Sequence, residues 1–270
     1  MPQKPASYHR PESLDEALSL LAKPGSAPLA GGTKLLASES GLPGTAVIDL
    51  QALGLGQVKL VSTENEPALL AGATITLSNL HQFLAAELPD SAAAKLLQTA
   101  VQQAGPNTYR NAATLGGTIA SRLPDSELLA ALLVLQAGVS LQSASNQNTI
   151  SLADYLEEAK RPSGLITAIT IPLPAGQAAS HRVARTPADY PIVSITGWRS
   201  ADGPIRLAAT GLGARPFRLH AAEKAANDVE TAVAKAAAAN THPGDFRGDA
   251  AYRAEMGAVL TRRTLNQLII

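Results

Sequence analysis

The 270-residue sequence predicts a mixed fold in which helices and strands share the core. Short apolar runs rich in Val and Ile, such as 46–50 and 165–171, are typical of buried strands. Longer apolar runs, such as 128–135, predict helices between them. With 46% hydrophobic residues, the chain is long enough to bury one large core or two to three smaller ones.

The first third of the chain begins with a well-marked helix. Ser13 and Glu16 form a capping box, and leucines at helical spacing continue the pattern through Ala22. Two short apolar segments, 27–30 and 46–50, then predict buried strands. A glycine loop follows the first of these strands, and a Gly/Pro turn precedes the second.

The middle of the chain alternates between the two element types. The predicted elements are strands 58–61 and 68–73, a helix 91–103, a helix 128–135 opened by Pro124–Glu127, a strand 139–142, a helix capped by Ser151 and a strand 165–171. The proline and glycine residues of 172–176 then predict a boundary.

The last hundred residues predict a sheet followed by helices. The predicted elements are strands 180–184, 192–198 and 205–212, an alanine-rich helix 219–239, a polar link through 242–244 and a final helix 249–268. No internal repeat or coiled-coil heptad stands out.

The composition excludes several classes of function. The 22 basic and 22 acidic residues cancel and only 3% of residues are aromatic, so the sequence indicates neither a nucleic-acid site nor attraction to an anionic membrane. No cysteine occurs, so the chain holds no disulfide, no thiolate nucleophile and no cysteine-ligated iron–sulfur cluster. The five histidines are scattered, and no metal site is predicted.

The sequence gives no sign of a membrane segment. Residues 1–6 lack the apolar core of a signal peptide, and no run approaches the roughly 18 apolar residues of a membrane span. We therefore expect a cytoplasmic protein.

Two short glycine loops are the features most suggestive of a ligand. They are Ala30–Leu36, with sequence AGGTKLL, and Arg110–Ala120, with sequence RNAATLGGTIA. Paired glycines let the backbone turn tightly and bring bare N–H groups against a pyrophosphate. Either loop alone is more typical of an ordinary turn, and the spacing of a P-loop is absent around Lys34. Two such loops in one chain indicate a shared dinucleotide.

Both loops resemble the FAD-binding signatures of the medium, flavin-carrying subunits of the xanthine dehydrogenase and carbon monoxide dehydrogenase family of molybdenum hydroxylases. Residues 30–36 match the family pattern A-G-G-T-x-L-L, and residues 110–120 match R-N-x-x-T-[IL]-G-G-N-[IL]-A with Thr118 in place of the asparagine. The family's Ser-Asp-Leu is similar to residues 126–128, Ser-Glu-Leu. Further segments that resemble the family are 71–76, 164–172, 184–190 and 252–263, so the match covers nearly the whole chain in order.

The resemblance implies an α+β fold, with two FAD-binding subdomains of the PCMH type and a C-terminal three-stranded sheet with helices. The expected boundaries are 1–55 for an N-terminal α/β FAD-binding subdomain, 56–174 for a second α+β FAD-binding subdomain and 175–270 for a C-terminal flavoprotein domain. FAD is expected to lie between the first two.

The resemblance also implies which residues bind FAD. Backbone N–H groups of residues 31–34 are expected to meet one phosphate, and those around Thr114, Gly116 and Gly117 the other. The full expected set is Leu29, Ala30, Gly31, Gly32, Thr33, Lys34, Leu35, Leu36, Thr114, Leu115, Gly116, Gly117, Thr118, Glu127, Ile166, His181 and Arg182. No catalytic residue and no metal ligand is expected in this chain.

Several of these residues have alternative interpretations. Glu127 is expected to accept hydrogen bonds from a ribose or ribityl hydroxyl of FAD. The alternative is that its carboxylate only interacts favourably with the dipole at the N-terminus of a helix. Ile166 falls where the family packs an aliphatic side chain near the flavin ring, or is an ordinary core residue. Where the family has a lysine near the ring, this chain offers His181 or Arg182. Tyr190 either lies over the flavin or is a core tyrosine.

By resemblance, the FAD accepts electrons that pass from a molybdenum–pterin centre on a large molybdopterin-binding subunit through two [2Fe-2S] clusters on a small subunit. It then gives them to an acceptor such as NAD+, oxygen or a quinone. The cofactor carries the redox chemistry, while the protein binds and orients it. Two alternatives stay open: a flavin-free structural subunit of such a complex, and a stand-alone FAD-dependent reductase.

Overall fold

The computed structural model describes residues 4–37, 42, 45–63, 66–160, 162–201 and 203–269. Within these residues, three main sheets follow one another along the chain, and helices pack against them. The α+β class predicted from the sequence is confirmed.

The first sheet is parallel and consists of β1 (Ser7–His9), β2 (Ser26–Leu29) and β3 (Ala46–Asp49), with β3 in the centre. Helix α1 (Leu14–Leu21) begins where predicted, because the Ser13 hydroxyl accepts a hydrogen bond from the N–H of Glu16 at 3.3 Å. The sequence does not predict β1, since the residues Ser-Tyr-His lack the apolar run that identifies a strand.

The second sheet is antiparallel. Its strands are β4 (Val58–Thr63), β5 (Glu66–Gly72), β6 (Gly138–Gln142), β7 (Gln147–Ser151) and β8 (Leu165–Pro172), in the spatial order β4-β5-β8-β6-β7. The helices of this region are α2 (Leu77–Glu87), α3 (Ala92–Gln103), α4 (Asn107–Ala112), α5 (Leu115–Ser121), α6 (Glu127–Val134) and α7 (Leu152–Glu157).

Helix α6 forms the centre of the largest hydrophobic core. All eight of its residues are buried, which explains why the sequence is apolar on every side of the helix. The helix begins after Ser126, whose hydroxyl accepts a hydrogen bond from the N–H of Leu129 at 3.4 Å. Trp198 and Ala208, from the sheet that follows, belong to the same core, so the middle and C-terminal regions are packed together.

The third sheet is antiparallel and has four strands rather than the three expected. Its strands are β9 (Gly176–Val183), β10 (Val193–Ser200), β11 (Ile205–Thr210) and the two-residue β12 (Phe217–Arg218), in the order β12-β11-β10-β9. The remaining elements are α8 (His220–Lys224), α9 (Val229–Ala238), a hairpin of β13 (Gly244–Asp245) and β14 (Gly248–Asp249), and α10 (Ala250–Ile269).

The prediction of one helix over 219–239 is wrong, because the segment forms two helices. Asp228 interrupts it, and its carboxylate accepts hydrogen bonds from the N–H groups of Glu230 at 3.1 Å and Thr231 at 3.3 Å. Helix α8 ends at Lys224, and Asp228, whose backbone angles are extended, caps the start of α9.

The boundaries of the predicted subdomains fall between sheets, with β3 ending at Asp49 and β4 starting at Val58, and with β8 ending at Pro172 and β9 starting at Gly176. The division into 1–55, 56–174 and 175–270 stays a prediction. Within the described ranges, no helix is long and apolar enough to cross a membrane. In the same residues, no three His, Asp or Glu side chains come together as a metal site would require.

Candidate functional site

A cavity of about 600 Å³ opens between the first sheet and the helices of the second region. This volume lies within the range of roughly 300–1,000 Å³ that small-molecule sites occupy. Both glycine loops line it, although they are far apart in the sequence. The predicted residues on its wall are Ala30, Gly31, Gly32, Thr33, Lys34, Leu35, Thr114, Gly116, Gly117, Thr118 and Ile166.

Gly31 allows the two loops to meet. A Cβ atom at this position would lie 1.7 Å from the carbonyl oxygen of Ala112 and 2.7 Å from its carbonyl carbon. Only a residue without a side chain fits there, so this glycine serves the contact between the loops. Gly32 is needed for another reason: its φ of +69° lies in the left-handed region, which side chains disfavour.

The first loop has a row of backbone donors beside the cavity. No described residue accepts a hydrogen bond from the N–H groups of residues 31–34. The loop closes through a hydrogen bond from the N–H of Leu36 to the carbonyl of Gly32, 2.9 Å long. Because unpaired backbone N–H groups require a partner, these four are suited to a phosphate.

The second loop uses its N–H groups within the protein, which differs from the expectation. The N–H of Gly116 donates to the carbonyl of Ala73 at 2.8 Å. The N–H of Gly117 donates to the Thr114 hydroxyl at 3.1 Å, which caps helix α5. A hydroxyl that accepts a hydrogen bond still has its own proton to donate, so Thr114 offers a donor to a ligand.

The two glycines of the second loop have different environments. A Cβ atom at Gly116 would lie 2.7 Å from the Cβ of Ala73, so this glycine brings the loop against the end of β5. Gly117 is exposed on the wall of the cavity, and a Cβ there would meet only the Thr114 hydroxyl, at 2.8 Å. The absent side chain of Gly117 therefore leaves room for a ligand.

Thr118 stands where the resembled family has asparagine, and its side chain is bonded inside helix α5. Its hydroxyl donates to the carbonyl of Thr114 at 2.9 Å, and its own carbonyl accepts from the Ser121 hydroxyl at 2.7 Å. Thr118 is mostly buried, and its small exposed part lies on the wall of the cavity. The hydroxyl proton of Thr118 is therefore used within the helix, on the carbonyl four residues earlier.

Lys34 is the one charged residue on the described wall of the cavity. Its Nζ lies 5.4 Å from the centre of the Tyr109 ring and 5.9 Å from that of Tyr190, within the range of cation–π contacts. Burial raises the pKa of Tyr109, although the Thr33 hydroxyl lowers it. Tyr109 is therefore neutral at physiological pH and is able to donate a hydrogen bond.

The structure places the other predicted residues, Leu29, Leu36, Leu115, Glu127, His181 and Arg182, off the described wall of the cavity. Leu115 is fully buried in the main core, whereas Leu36 is exposed at the end of the first loop. The buried Nε2 of His181 has no hydrogen-bond partner in the described part of the chain.

Glu127 and Arg182 form an ion pair with each other. Oε2 of Glu127 lies 3.3 Å from Nη1 of Arg182, and both side chains are largely buried. Arg182 also donates to the carbonyl of Asp189. The next residue, Tyr190, donates from its hydroxyl to the carbonyl of Ala104 at 3.2 Å. The ion pair thus connects helix α6 to the loop that carries Tyr190.

Burial raises the pKa of Glu127 to about 7, even though the guanidinium of Arg182 lowers it. The carboxylate loses most of its hydration inside the core, and one guanidinium does not compensate for that loss. Between the ordinary pKa of a glutamate and this raised value, the folded chain binds more protons than the unfolded chain. This carboxyl group therefore makes the folded state less stable as the pH rises.

We expect Glu127→Gln to change the pH dependence of stability. Glutamine cannot ionise, so the free energy of unfolding of the variant relative to wild type should rise by about 1–3 kcal/mol between pH 4.5 and pH 8. Urea unfolding at both pH values measures this difference. Parallel pH profiles for the two proteins would show that Glu127 does not titrate in this range.

Several wall residues were missed by the sequence reasoning: Thr74, Tyr109, Ser121, Tyr155 and Leu165. Tyr109 directly precedes the second glycine pattern, so its position in the sequence could have indicated it. The Arg and Asn of that pattern instead bond within the protein. Arg110 donates to the backbone carbonyl of Gly105 at 2.5 Å, and the side-chain oxygen of Asn111 accepts from the Ser78 hydroxyl at 2.5 Å.

A cavity lined by two glycine loops, unpaired N–H groups, neutral hydroxyls and one lysine defines a protein that binds a phosphate-bearing nucleotide. Comparison with known proteins identifies the group to which it belongs. Residues 4–174 match the family described as the FAD binding domain in molybdopterin dehydrogenase.

Relatives match along nearly the whole chain. The carbon monoxide dehydrogenase medium chain of Afipia carboxidovorans is 30% identical, over 96% of this chain and 95% of that protein. The glyceraldehyde dehydrogenase medium chain of Sulfolobus acidocaldarius is 29% identical, over 97% of this chain and 98% of that protein. A crystal structure of the Cu,Mo-CO dehydrogenase in its cyanide-inactivated form matches with a TM-score of 0.86 and 27% identity, covering 99% of this chain and 98% of that one.

The chain therefore belongs to the family of FAD-binding domains of molybdopterin dehydrogenases. FAD is its cofactor, and the chain is a subunit of an oxidoreductase. The resemblance read from the two glycine loops is confirmed, and the flavin-free alternative is set aside.

Proposed function

We propose that this chain holds FAD in the cavity between the glycine loops and transfers electrons within a molybdenum hydroxylase complex. The unpaired N–H groups of residues 31–34, beside a cavity that both loops line, are the observation that carries the proposal. A small subunit with [2Fe-2S] clusters supplies the electrons, and a large molybdopterin-binding subunit produces them. The terminal acceptor is NAD+, oxygen or a quinone. The bound FAD supplies the redox chemistry.

The chain's own residues bind and orient the cofactor. Residues 31–34 donate backbone N–H groups to one phosphate, and the hydroxyl of Thr114 donates to the other. These donors are neutral, so the negative charge of the pyrophosphate is spread over dipoles while Lys34 contributes the single positive charge on the described wall.

The apolar part of the cavity suits a flat ring system. Leu165 and Ile166, from β8, line the wall and are largely buried. We propose that Ile166 packs against the flavin ring, which excludes water from that face. By resemblance to the acid of the family's Ser-Asp-Leu, Glu127 keeps its proposed role as an acceptor for a sugar hydroxyl.

The absorption spectrum of the purified chain tests this function. We expect the bands of a bound oxidised flavin, either as isolated or after reconstitution with FAD, and two further chains in the purified complex. Metal analysis should find iron in one of these chains and molybdenum in the other. A chain that oxidises a small substrate with FAD but without further subunits would support the stand-alone reductase instead.

A further inference from the structure

The ammonium group of Lys34 lies within contact of two tyrosine rings that come from distant parts of the chain. Its Nζ is 5.4 Å from the centre of the Tyr109 ring and 5.9 Å from that of Tyr190. Tyr109 belongs to α4, directly before the second glycine loop, and Tyr190 belongs to the segment between β9 and β10. The cation therefore connects the first glycine loop to both the middle and the C-terminal regions.

Tyr190 is held from two sides. Its hydroxyl donates to the carbonyl of Ala104, at the C-terminal end of α3, over 3.2 Å. The carbonyl of the preceding residue, Asp189, accepts a hydrogen bond from Arg182. The guanidinium of Arg182 is in turn fixed by Glu127 of α6 at 3.3 Å. The ring of Tyr190 is thus held in place, although 38% of the residue is exposed.

Tyr109 contacts the first glycine loop a second time. The Thr33 hydroxyl hydrogen-bonds with the phenol of Tyr109, and this contact lowers the pKa of Tyr109 while burial raises it. The ring lies close to Gly105, where a Cβ atom would be 3.1 Å from Cδ1 of the tyrosine. Tyr109 also packs against the main hydrophobic core. It is therefore a firm support for the loop residues that contact it.

The first loop is consequently fixed at both ends of its row of backbone donors. At one end, Gly31 packs so closely on the carbonyl of Ala112 that no Cβ atom would fit. At the other end, the side chains of Thr33 and Lys34 contact the tyrosines. The N–H groups of 31–34 lack an acceptor among the described residues. A loop fixed in this way needs little further ordering when a ligand binds to those groups.

We propose that Lys34 is a positioning residue for FAD, whose ammonium group, held by the rings of Tyr109 and Tyr190, fixes the first glycine loop so that its N–H groups face the pyrophosphate. The proposal rests on the function proposed above. Through Tyr190, it makes the C-terminal region part of the FAD site. The charge of Lys34 also attracts the pyrophosphate, but that attraction does not need either tyrosine. The two effects therefore differ in whether they depend on Tyr190.

A double-mutant cycle on FAD affinity tests this dependence. The apoproteins of wild type, Lys34→Met, Tyr190→Leu and the double variant are titrated with FAD. We expect Lys34→Met to raise the Kd about 10-fold and Tyr190→Leu about 5-fold, because each removes cation–π contacts. In the Lys34→Met background, Tyr190→Leu should change the Kd by less than about 2-fold. Both residues are exposed, so these variants should fold as wild type does.

Three further variants serve as controls. Tyr190→Phe keeps the ring and loses only the hydroxyl that bonds to Ala104, so it should retain most of the affinity. Lys34→Arg keeps a cation that contacts aromatic rings, and it should do the same. Lys59→Met removes an exposed lysine from β4, off the described wall of the cavity, and should bind FAD as wild type does.

Two outcomes would overturn the proposal. Losses that multiply in the double variant would show that Lys34 acts on the pyrophosphate independently of Tyr190. Wild-type affinity in Lys34→Met would show that the loop needs no support from its side chain. In both cases the wild-type chain still binds FAD, so the proposed function stands. A wild-type chain that takes up no FAD would overturn the proposed function and this proposal with it.

Discussion

Gly31→Ala is expected to abolish flavin binding and to destabilise the fold. The added Cβ would lie 1.7 Å from the carbonyl oxygen of Ala112, and both atoms belong to rigid backbone, so the two loops must separate. Forced overpacking of this kind costs about 1–3 kcal/mol or more. Flavin absorbance per chain and the free energy of unfolding of the apoprotein measure the two effects.

The control for this variant is Gly138→Ala. A Cβ at Gly138 would meet its nearest neighbour, the Cγ2 of Thr149, at 3.4 Å, so the same chemical change is accommodated in β6. We expect this protein to retain wild-type flavin content. Full flavin content in Gly31→Ala would show that the loops need not touch for FAD to bind.

The glycine pairs show what sequence alone could and could not predict. The patterns Gly31-Gly32 and Gly116-Gly117 are similar, and the sequence assigned both to phosphate contact. In the structure, Gly31 permits the contact between loops, Gly32 adopts positive φ and Gly116 packs against β5. Gly117 is the one of the four that is exposed on the cavity wall, where a Cβ would meet only the Thr114 hydroxyl. These differences depend on which backbone approaches each glycine, and that information lies in distant segments.

The same limit applies to hydrogen bonds. The sequence predicts that N–H groups of both loops face phosphates, but the N–H of Gly116 donates to Ala73 and that of Gly117 to Thr114. Whether a backbone N–H is free to bind a phosphate depends on the helix cap or strand end that lies beside it. The glycine pattern in the sequence does not reveal these neighbours. The first loop, which precedes no helix, keeps its donors unpaired among the described residues.

Secondary structure was predictable where local signals were strong. The capping box at Ser13 and the apolar run of α6 predicted the ends of helices α1 and α6 to within about one residue. Helix α2 was missed, although Thr76 caps it and Leu77, Leu80 and Leu84 form its buried face. The helical spacing of these leucines is present in the sequence, but the sequence reasoning made no assignment for residues 77–90.

Glu127 and Arg182 are a further case in which the fold changes the interpretation. Each was predicted as a separate cofactor contact, and the structure joins them in one ion pair between α6 and β9. The residues lie in different regions of the chain, so their pairing follows from the packing of the third sheet against the main core. Sequence motifs identify residue types near a site, and tertiary packing determines which of them face the ligand.

Gly117→Asp is expected to eliminate FAD binding while leaving the fold intact. Gly117 is exposed in the third position of helix α5, where the helix dipole favours a carboxylate, so the apoprotein should still fold. Any loss of stability from the added Cβ, which would press on the Thr114 hydroxyl, should be shared by Gly117→Asn. The same charge beside the cavity repels the pyrophosphate. Like charges about 4 Å apart near a protein surface repel by about 4 kcal/mol, so we expect the Kd for FAD to rise at least about 100-fold.

Gly117→Asn separates the effect of charge from that of size. The two side chains have nearly the same shape, and both bring a Cβ to within 2.8 Å of the Thr114 hydroxyl. We expect the asparagine variant to lose less affinity than the aspartate variant, and the difference between them to shrink as salt is added, because ions screen the repulsion. Titration of each apoprotein with FAD at low and high ionic strength measures both quantities. Equal losses at every salt concentration would mean that the side chain acts by blocking space, and wild-type affinity in both variants would place the phosphate away from this loop.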